Sequence, residues 1–175
     1  MKNTSIKIAA LSKADYEFWL PLWQNYLKFY ETSLPMSTTD TTWRNLLDSN
    51  VAIHWFGAWQ DGTLVGITHV VLHPSTWTST GCCYLQDLYV KESVRGQGVG
   101  RVLIEGVYNF ADEKGCNHVY WKTQESNTDA RRLYDNVASL TDMVQYRKNL
   151  WFVLPVLWFT MNEQIKKRQA LNTWR

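Results

Sequence analysis

A glycine-rich segment directly after an apolar strand is the feature that most restricts the fold of this chain. Cys83–Val90 has the pattern of a strand, and Arg95–Gly100 (Arg-Gly-Gln-Gly-Val-Gly) follows it and opens a helical stretch that runs to about Lys114. Glycine lets a backbone approach a ligand closely, and the first N–H groups of a helix have no partner inside the helix. These donors, with the positive end of the helix dipole, suit a pyrophosphate. The segment therefore predicts an anion site between a strand and a helix.

The Arg-x-x-Gly-x-Gly pattern is not specific by itself, because glycine also occurs wherever a strand reverses into a helix. Two other phosphate-binding loops fit less well. The lysine-containing P-loop would need a Gly-Lys-Ser/Thr ending, and the dinucleotide fingerprint would need Gly or Ala where this chain has Arg101. Arg95 and Arg101 are candidates for charge-assisted contacts to phosphate oxygens.

The order of predicted elements indicates an α+β or mixed α/β domain, with strands first and then alternating strands and helices. Asp61-Gly62 is a strong hairpin signal, and Gly115 suits a helix C-cap. Pro21 predicts a break or a late start in the first helix. The predicted strands are Ser5–Ala10, Val51–Trp59, Leu64–His73, Cys83–Val90, His118–Thr123 and Met143–Lys148. Besides the helix that ends near Lys114, the predicted helices are Ala14–Tyr30, Thr38–Leu47 and Asn127–Asn136.

The length and charge of the chain limit the classes of function. A chain of 175 residues favours one domain, and a net charge of +2 does not call for a nucleic acid or an anionic membrane as partner. We predict a domain over residues 1–149 and an extension over 150–175 that docks on the domain or forms an interface. The ten mostly apolar residues of Leu150–Phe159 are too few to span a bilayer. No signal-peptide pattern is visible at the N-terminus, and we predict a cytoplasmic protein.

The cysteine and histidine residues do not predict a metal site. Three cysteines, with no Cys-x-x-Cys spacing, indicate reduced thiols and neither a disulfide framework nor a zinc site. The histidines lack a metal-ligand spacing, and we interpret them as structural or surface residues; they are His54, His69, His73 and His118.

A second informative element follows the strand His118–Thr123. Asn127 is a good N-cap residue for the next helix, and Tyr134 lies two turns later on the same helix face. A phenol at this place can lie over whatever binds near Asn127. An aromatic residue in a core or at its rim gives the same pattern.

Together these segments resemble the successive cofactor motifs of the GNAT superfamily of acetyltransferases. The matching segments are Leu88-Tyr89-Val90, Arg95–Gly100 and Asn127-x-x-Ala130-x-x-Leu133-Tyr134. The chain is similar to the polyamine and histone/polyamine branch through Leu22-Trp23-x-x-Tyr26-x-x-Phe29-Tyr30-Glu31, Asp87–Val90, Val119-Tyr-Trp121 and Glu125-Ser-Asn127. The resemblance covers roughly residues 5–148. It implies the GNAT fold, a central, mostly antiparallel, splayed sheet flanked by helices.

The resemblance implies an N-acetyltransferase that uses acetyl-CoA and acts as a homodimer. Tyr134 is expected to be the general acid that protonates the departing CoA thiolate, a role that suits a phenol. Main-chain groups of Leu88–Val90 are expected to pair with the pantetheine arm, and the amides of residues 96–101 to hold the pyrophosphate. The expected cofactor contacts are Leu88, Tyr89, Val90, Arg95, Gly96, Gln97, Gly98, Val99, Gly100, Arg101, Asn127, Asp129 and Ala130. The expected contacts to the amine are Tyr30, Glu31, Gln86, Asp87 and Trp121.

One departure from the branch concerns proton handling. The polyamine enzymes carry a Glu where this chain has Gln86, and Gln cannot receive the proton of the amine. Asp87 is ionisable, but strict alternation turns it to the other face of the strand. Proton removal is therefore expected to run through water or through Glu31.

The implied reaction is direct attack of a neutral amine on the thioester in a ternary complex, without an acyl-enzyme. The expected acceptor is a polyamine-like small molecule or a lysine side chain. A non-catalytic CoA-binding or regulatory module is an alternative. Intact Asn127 and Tyr134 argue against that alternative, and Gln86 argues mildly for it.

Overall fold

One mixed sheet positions every element of the candidate site. The computed structural model describes residues 5–150, and within them five strands are hydrogen-bonded in the order β1-β2-β3-β4-β5. Neighbours from β1 to β4 are antiparallel, and β5 pairs with β4 in parallel. The strands are β1 (Ile6–Ala9), β2 (Ile53–Gln60), β3 (Thr63–His73), β4 (Cys82–Val90) and β5 (Val119–Trp121), and the helices are α1 (Tyr16–Phe29), α2 (Met36–Leu47), α3 (Val99–Glu113) and α4 (Thr128–Tyr134). This architecture confirms the predicted mixed α/β class.

Helix α1 continues through Pro21, where the sequence predicted a break or a late start. Pro21 is exposed, and its missing N–H removes one hydrogen bond near the beginning of the helix. Three side chains of the same segment are buried, namely Trp19, Leu22 and Trp23. Burial of three large apolar side chains outweighs one lost hydrogen bond, since each is worth about 1.5–3 kcal/mol when removed from water.

The two faces of the sheet carry separate clusters of buried side chains. One cluster joins α1 and α2 to the sheet and contains four tryptophans, Trp19, Trp23, Trp43 and Trp55. The other joins α3 to the opposite face through Ile104 and Val107. Because both faces are covered, the middle of β3 is buried on every residue from 64 to 70.

The turns agree with the sequence signals. Asp61 and Gly62 both have positive φ, 49° and 76°, in the two-residue turn between β2 and β3. Gly115 has φ 67° at the end of α3, where its N–H and that of Cys116 bond to carbonyls of the last helical turn. Both features confirm the predicted hairpin and C-cap.

The sheet is splayed between β4 and β5. The pairing joins Cys83–Leu85 to Val119–Trp121, and the chain then leaves β5 towards α4. The second half of β4, residues 86–90, therefore extends past the end of β5. The resemblance predicted such a splay.

The predicted strand Met143–Lys148 is wrong. Residues 140–150 contain no helix or strand, and the side chains of Met143, Val144 and Tyr146 are exposed. Alternation predicts a strand only where a partner strand is available for hydrogen bonding, and a sequence pattern cannot supply that partner. The chain divides into two units, residues 1–139 and 140–175. The predicted docking of the extension concerns residues that lie outside the described range.

Gly66 sets how closely α3 approaches the sheet, and replacing it tests that packing. A Cβ at this position would lie 3.0 Å from Leu103 Cδ1 and 3.1 Å from the Tyr89 carbonyl oxygen. We expect Gly66→Ala to lower the free energy of unfolding by about 1–3 kcal/mol, because a main-chain oxygen cannot easily move away. Urea denaturation measures the change, and Thr63→Ala at an exposed position of the same strand is the control. An unchanged midpoint for Gly66→Ala would show that α3 is not in tight contact here.

Candidate functional site

The glycine-rich turn presents the start of α3 at the end of β4. Gly96 and Gly98 have φ of 76° and 87°, and α3 begins at Val99 with Gly98 as its N-cap. The first helical hydrogen bond runs from the Val102 N–H to the Gly98 carbonyl, so the amides of residues 99–101 precede it. These amides lie at the positive end of a helix of 15 residues. The geometry fits an anionic group such as a pyrophosphate.

The glycines of this turn serve different purposes. A Cβ at Gly96 or Gly98 would meet no heavy atom of the described chain within 4 Å, so the space beside both is free for a ligand. A Cβ at Gly100 would lie 3.2 Å from Leu133 Cδ2 and 3.9 Å from Val90 Cγ2. Gly100 therefore allows α3 to pack against α4 and β4, whereas Gly98 keeps the loop surface open.

Arg95 is engaged with protein groups. Its Nε–H donates to the Val90 carbonyl oxygen at 3.1 Å, and its guanidinium lies over the rings of Phe29 and Tyr89 at 5.9 and 5.6 Å. It also lies 3.8 Å from an exposed Glu92 carboxylate, a pair worth little in water. Arg95 thus connects the end of α1 to the end of β4. Arg101, the second predicted phosphate contact, is exposed in the first turn of α3.

The backbone of β4 beyond β5 matches the predicted position for a pantetheine arm. Leu88, Tyr89 and Val90 follow the last residue that pairs with β5. Their side chains pack into the helix-covered faces, Tyr89 on the α1 face and Leu88 on the α3 face. The main chain on the β5 side of this segment therefore runs along the opening of the splay.

Helix α4 carries Asn127 and Tyr134 at its two ends. Asn127 is the N-cap residue, but its Nδ2–H donates to Thr123 Oγ1 at 3.0 Å instead of its oxygen capping the helix. Asp129 forms an exposed pair with Arg132, and Ala130 is half-buried one turn before Tyr134. The sequence predicted Asn127 and Tyr134 on one helix face, two turns apart. In the structure they lie at opposite ends of α4.

Tyr134 is held in a largely buried position. Its ring packs edge-on against Trp121, with ring centroids 5.3 Å apart. Burial, and secondarily the nearby Tyr30 phenol, raises the pKa of Tyr134 to about 12. Tyr134 therefore keeps its proton throughout the neutral and moderately alkaline range, as a proton donor must.

Tyrosines from α1 and β4 gather around the carboxylate of Asp87. Burial raises the pKa of Tyr26 well above its usual value, and the Asp87 charge, Tyr30 and Tyr84 add to the rise. Burial also raises the pKa of Tyr84, with further contributions led by Asp87. Tyr26 and Tyr30 pack edge-on with ring centroids 5.1 Å apart. The structure thus brings together Tyr30, Asp87, Trp121 and Tyr134 from the predicted site.

A bulge in β4 explains why Asp87 lies on this face. His69 of β3 pairs with Asp87 and Val70 pairs with Leu85, so Gln86 is an extra residue in β4. The expectation that alternation turns Asp87 away is therefore wrong. Tyr84 and Asp87, three residues apart, share a face because the bulge shifts the alternation by one. Gln86 itself is exposed.

Glu31 lies at the end of α1 next to a different space. Its φ is 51°, unusual for a residue with a side chain, and it lines a cavity of about 480 Å³ between α1 and α2. The α1 residues that line this cavity are Gln24, Leu27, Lys28 and Glu31, a stripe distinct from the one with Tyr26 and Tyr30. Glu31 therefore belongs to the residues that line this cavity, which do not include Tyr26 or Tyr30.

Sequence reasoning missed His69, Tyr26 and Tyr84. His69 was interpreted as a structural or surface residue; it is buried, 2% exposed, and its Nδ1 lies 3.0 Å from Asp87 Oδ2, a contact that the sequence did not indicate. The sequence could have indicated a contact between His69 and Asp87 only through their places in consecutive predicted strands. Pairing register, and the bulge in it, could not be read from the sequence.

The cysteines and membrane signals give no further site. Burial raises the pKa of Cys83 to about 12 and also raises that of Cys116, so both are poor nucleophiles at neutral pH. Across residues 5–150, no group of His, Cys, Asp and Glu side chains is arranged to hold a metal ion. None of the helices in this part of the chain combines the length and apolar character that a bilayer crossing requires.

Comparison with known proteins agrees with this geometry. The Acetyltransferase (GNAT) family model matches residues 16–137. The D-amino-acid N-acetyltransferase HPA3 of Saccharomyces cerevisiae is 38% identical over 151 residues, which cover 85% of this chain and 94% of the relative. The thialysine N-epsilon-acetyltransferase of Sus scrofa is 35% identical over 80 residues, which cover 46% of each chain.

Solved structures share the fold. The ribosomal-protein-alanine N-acetyltransferase of Brucella melitensis biovar Abortus 2308 superposes with a TM-score of 0.69 at 25% identity, over 83% of this chain and 100% of that one. The aminoglycoside N-acetyltransferase AAC(6')-Iy in complex with CoA gives a TM-score of 0.74 at 19% identity, over 86% of this chain and 98% of that one. The positive-φ glycines, the free space beside them and the splayed strand fit the donor that this family uses. The chain belongs to the GNAT family and is an N-acetyltransferase with acetyl-CoA as its acetyl donor.

Proposed function

We propose that the acceptor is a cationic primary amine, carried by a polyamine-like small molecule or by a lysine-type side chain. The observation that supports this is the Asp87 carboxylate beside the phenols of Tyr26 and Tyr84, with Tyr30 packed against Tyr26. A carboxylate attracts an ammonium, and aromatic faces add cation–π attraction. The named relatives act on D-amino acids and on thialysine, which are also primary amines. We further propose a cytoplasmic homodimer, supported by the branch resemblance and by the free thiols of Cys82, Cys83 and Cys116.

The donor is proposed to bind along the splay and over the glycine turn. Amides of residues 96–101 would hold the pyrophosphate, with Arg101 beside them, and the main chain of Leu88–Val90 would pair with the pantetheine arm. Asn127, Asp129 and Ala130 would contact the donor from the side of α4. Bound there, acetyl-CoA supplies the thioester that the amine attacks.

The chain's own groups are proposed to manage charge and protons in a direct transfer. The amine nitrogen uses its lone pair to form the C–N bond, and the C–S bond breaks with its electron pair on sulfur. Tyr134 donates its proton to that sulfur and regains one as the nitrogen becomes an amide. Trp121 fixes the orientation of the Tyr134 ring by edge-on packing. The alternative of a non-catalytic module gains no support, because the named relatives are enzymes.

A thiol-release assay tests the acceptor class directly. Acetyl-CoA is offered with spermidine, an Nα-blocked lysine, thialysine, D-amino acids, an aminoglycoside and a lysine-containing peptide. Turnover with the small cationic amines supports the proposal. Turnover confined to the peptide would move the acceptor to proteins, and turnover confined to neutral amines would contradict the proposal.

Tyr134→Phe tests the acid. We expect kcat to fall about 100-fold or more, with acetyl-CoA affinity nearly unchanged, because only the proton donor is removed. Tyr108→Phe is a matched control, since the Tyr108 hydroxyl donates to the Val137 carbonyl at 2.8 Å in a purely structural contact. Because the pKa of Tyr134 is raised to about 12, the wild-type kcat should show no loss from its ionisation at pH 9 or 10. Unchanged kcat in a chemistry-limited assay would reject the role.

Gly98→Val tests the phosphate site, with Gly115→Val as a control at the other end of α3. Both glycines have positive φ and free space around them, so both variants carry similar backbone strain. Only the side chain at Gly98 blocks the approach to the amides at the start of α3. We expect loss of acetyl-CoA binding by calorimetry for Gly98→Val alone. Equal affinity in the two variants would place the pyrophosphate elsewhere.

Glu31→Gln tests whether this carboxylate helps to attract the acceptor. Because Glu31 lines the α1–α2 cavity, whose lining does not include Tyr26 or Tyr30, we expect a modest rise in KM, about two- to fivefold, for cationic amines and a smaller one for neutral amines. Steady-state kinetics with both kinds of acceptor measure it. Equal changes for the two kinds would remove Glu31 from the acceptor site.

A further inference from the structure

A hydrogen-bonded chain leads from the core of the protein to the Asp87 carboxylate. The Trp19 Nε1–H donates to His69 Nε2 at 3.0 Å, and His69 Nδ1 lies 3.0 Å from Asp87 Oδ2. Trp19 is fully buried and His69 is 2% exposed, whereas the Asp87 side chain is 14% exposed. The chain therefore begins in the core and ends at a carboxylate that reaches solvent.

This arrangement fixes the proton of His69. An indole N–H can only donate, so His69 Nε2 must be the acceptor and the ring proton must reside on Nδ1. The Nδ1–H then donates to Asp87. A second indole, that of Trp23, packs against the His69 ring with centroids 5.4 Å apart, yet its buried N–H has no hydrogen-bond partner among the described residues. Trp19, which can only donate, and the Asp87 carboxylate, which can only accept, thus both select the Nδ1–H tautomer, whereas Trp23 does not.

The bulge at Gln86 brings this supported carboxylate to the proposed acceptor site. The groups beside Asp87 are His69 from β3, Tyr26 from α1 and Tyr84 from β4, and Tyr30 from α1 lies next to Tyr26. These neighbouring groups are three phenols and one imidazole. Asp87 is accordingly the one carboxylate in this cluster of described residues.

Resting on the proposed function, we propose that Asp87 is the catalytic base that receives the ammonium proton of the acceptor, and that His69, fixed by Trp19, is its positioning residue. The Asp87 carboxylate binds the ammonium and takes one proton, which leaves a nitrogen lone pair for attack. After transfer, Asp87 releases that proton to water. The net change is one proton released for each amide formed, and no oxidant or reductant is required.

The need for such a group follows from the amine itself. An alkylamine with a pKa of about 10.4 is neutral in only about one molecule in 2,500 at pH 7. In wild type, Asp87 binds the amine in its abundant ammonium form and then takes the proton, so the reactive complex does not depend on neutral amine from solution. Without the carboxylate, the enzyme has to collect the rare neutral amine from solution. Gln86 cannot accept the proton, and Glu31 lies at the α1–α2 cavity.

Asp87→Asn, assayed against pH with two acceptors, tests the base. For an Nα-blocked lysine we expect a level wild-type kcat/KM between pH 7 and 9, a fall of about 100-fold or more at pH 7 in the variant, and recovery of about tenfold per pH unit. For an amino-acid amide, with a pKa of about 8, the deficit should be much smaller. Exposed Asp112→Asn is the control, expected to match wild type.

Two pairs of variants test the positioning chain. His69→Asn can place an amide N–H near the Nδ1 position and should keep kcat within about threefold of wild type, whereas His69→Leu should lose about tenfold or more. Trp19→Phe and Trp23→Phe remove similar volumes, but only the first removes a hydrogen bond to His69. Ring ¹⁵N shifts should report a His69 Nε2 that accepts a hydrogen bond in wild type and in Trp23→Phe, and a Nε2 that has lost this hydrogen bond in Trp19→Phe.

The outcomes separate this inference from the proposed function. A wild-type enzyme that acetylates no cationic amine contradicts the proposed function. Turnover in wild type with an Asp87→Asn deficit that is constant across pH and acceptors overturns the base role of Asp87. Equal kcat in His69→Asn and His69→Leu, or the same His69 Nε2 shift in both tryptophan variants, overturns the positioning chain.

Discussion

The pairing of β3 with β4, including its bulge, is the constraint on which both halves of the site depend. Ahead of the bulge, β4 pairs with β3 on one side and β5 on the other. Beyond it, β4 keeps only the β3 partner and leads into the glycine turn. One irregularity in one strand pair thus turns Asp87 towards the tyrosines, and the strand that continues past it carries the proposed donor contacts.

The two faces of the sheet support different parts of the site. The α3 face supplies an apolar layer that holds the start of α3 against β4, so the positive end of the helix has a fixed place. The α1 face is built from aromatic rings and places phenols and one carboxylate together. Because aromatic side chains combine an apolar body with a polar tip, this face can be packed and still present hydrogen-bonding groups at its rim.

Much of this arrangement was accessible from the sequence, and the part that was not has a physical reason. Asp61-Gly62, Gly98 and Gly115 need positive φ, a local requirement that residue type reveals directly. Tyr134 and Asn127 could be placed on one helix by spacing alone. The face of Asp87 could not be predicted, because a bulge depends on register between two strands. The strand expected at Met143–Lys148 failed for a related reason, since alternation cannot show whether a partner strand exists. The predicted roles of the site residues remain predictions.

Arg95 has a consequence for how the two substrate sites affect each other. Its Nε–H occupies the Val90 carbonyl, while its guanidinium covers Phe29 and Tyr89. A donor that pairs with this carbonyl shares its oxygen with a side chain that also contacts Phe29 at the end of α1. If donor binding shifts Arg95, the contact with Phe29 shifts too, and the affinities for donor and acceptor are then thermodynamically linked. Such linkage would be reciprocal, with each substrate changing the dissociation constant of the other by the same factor.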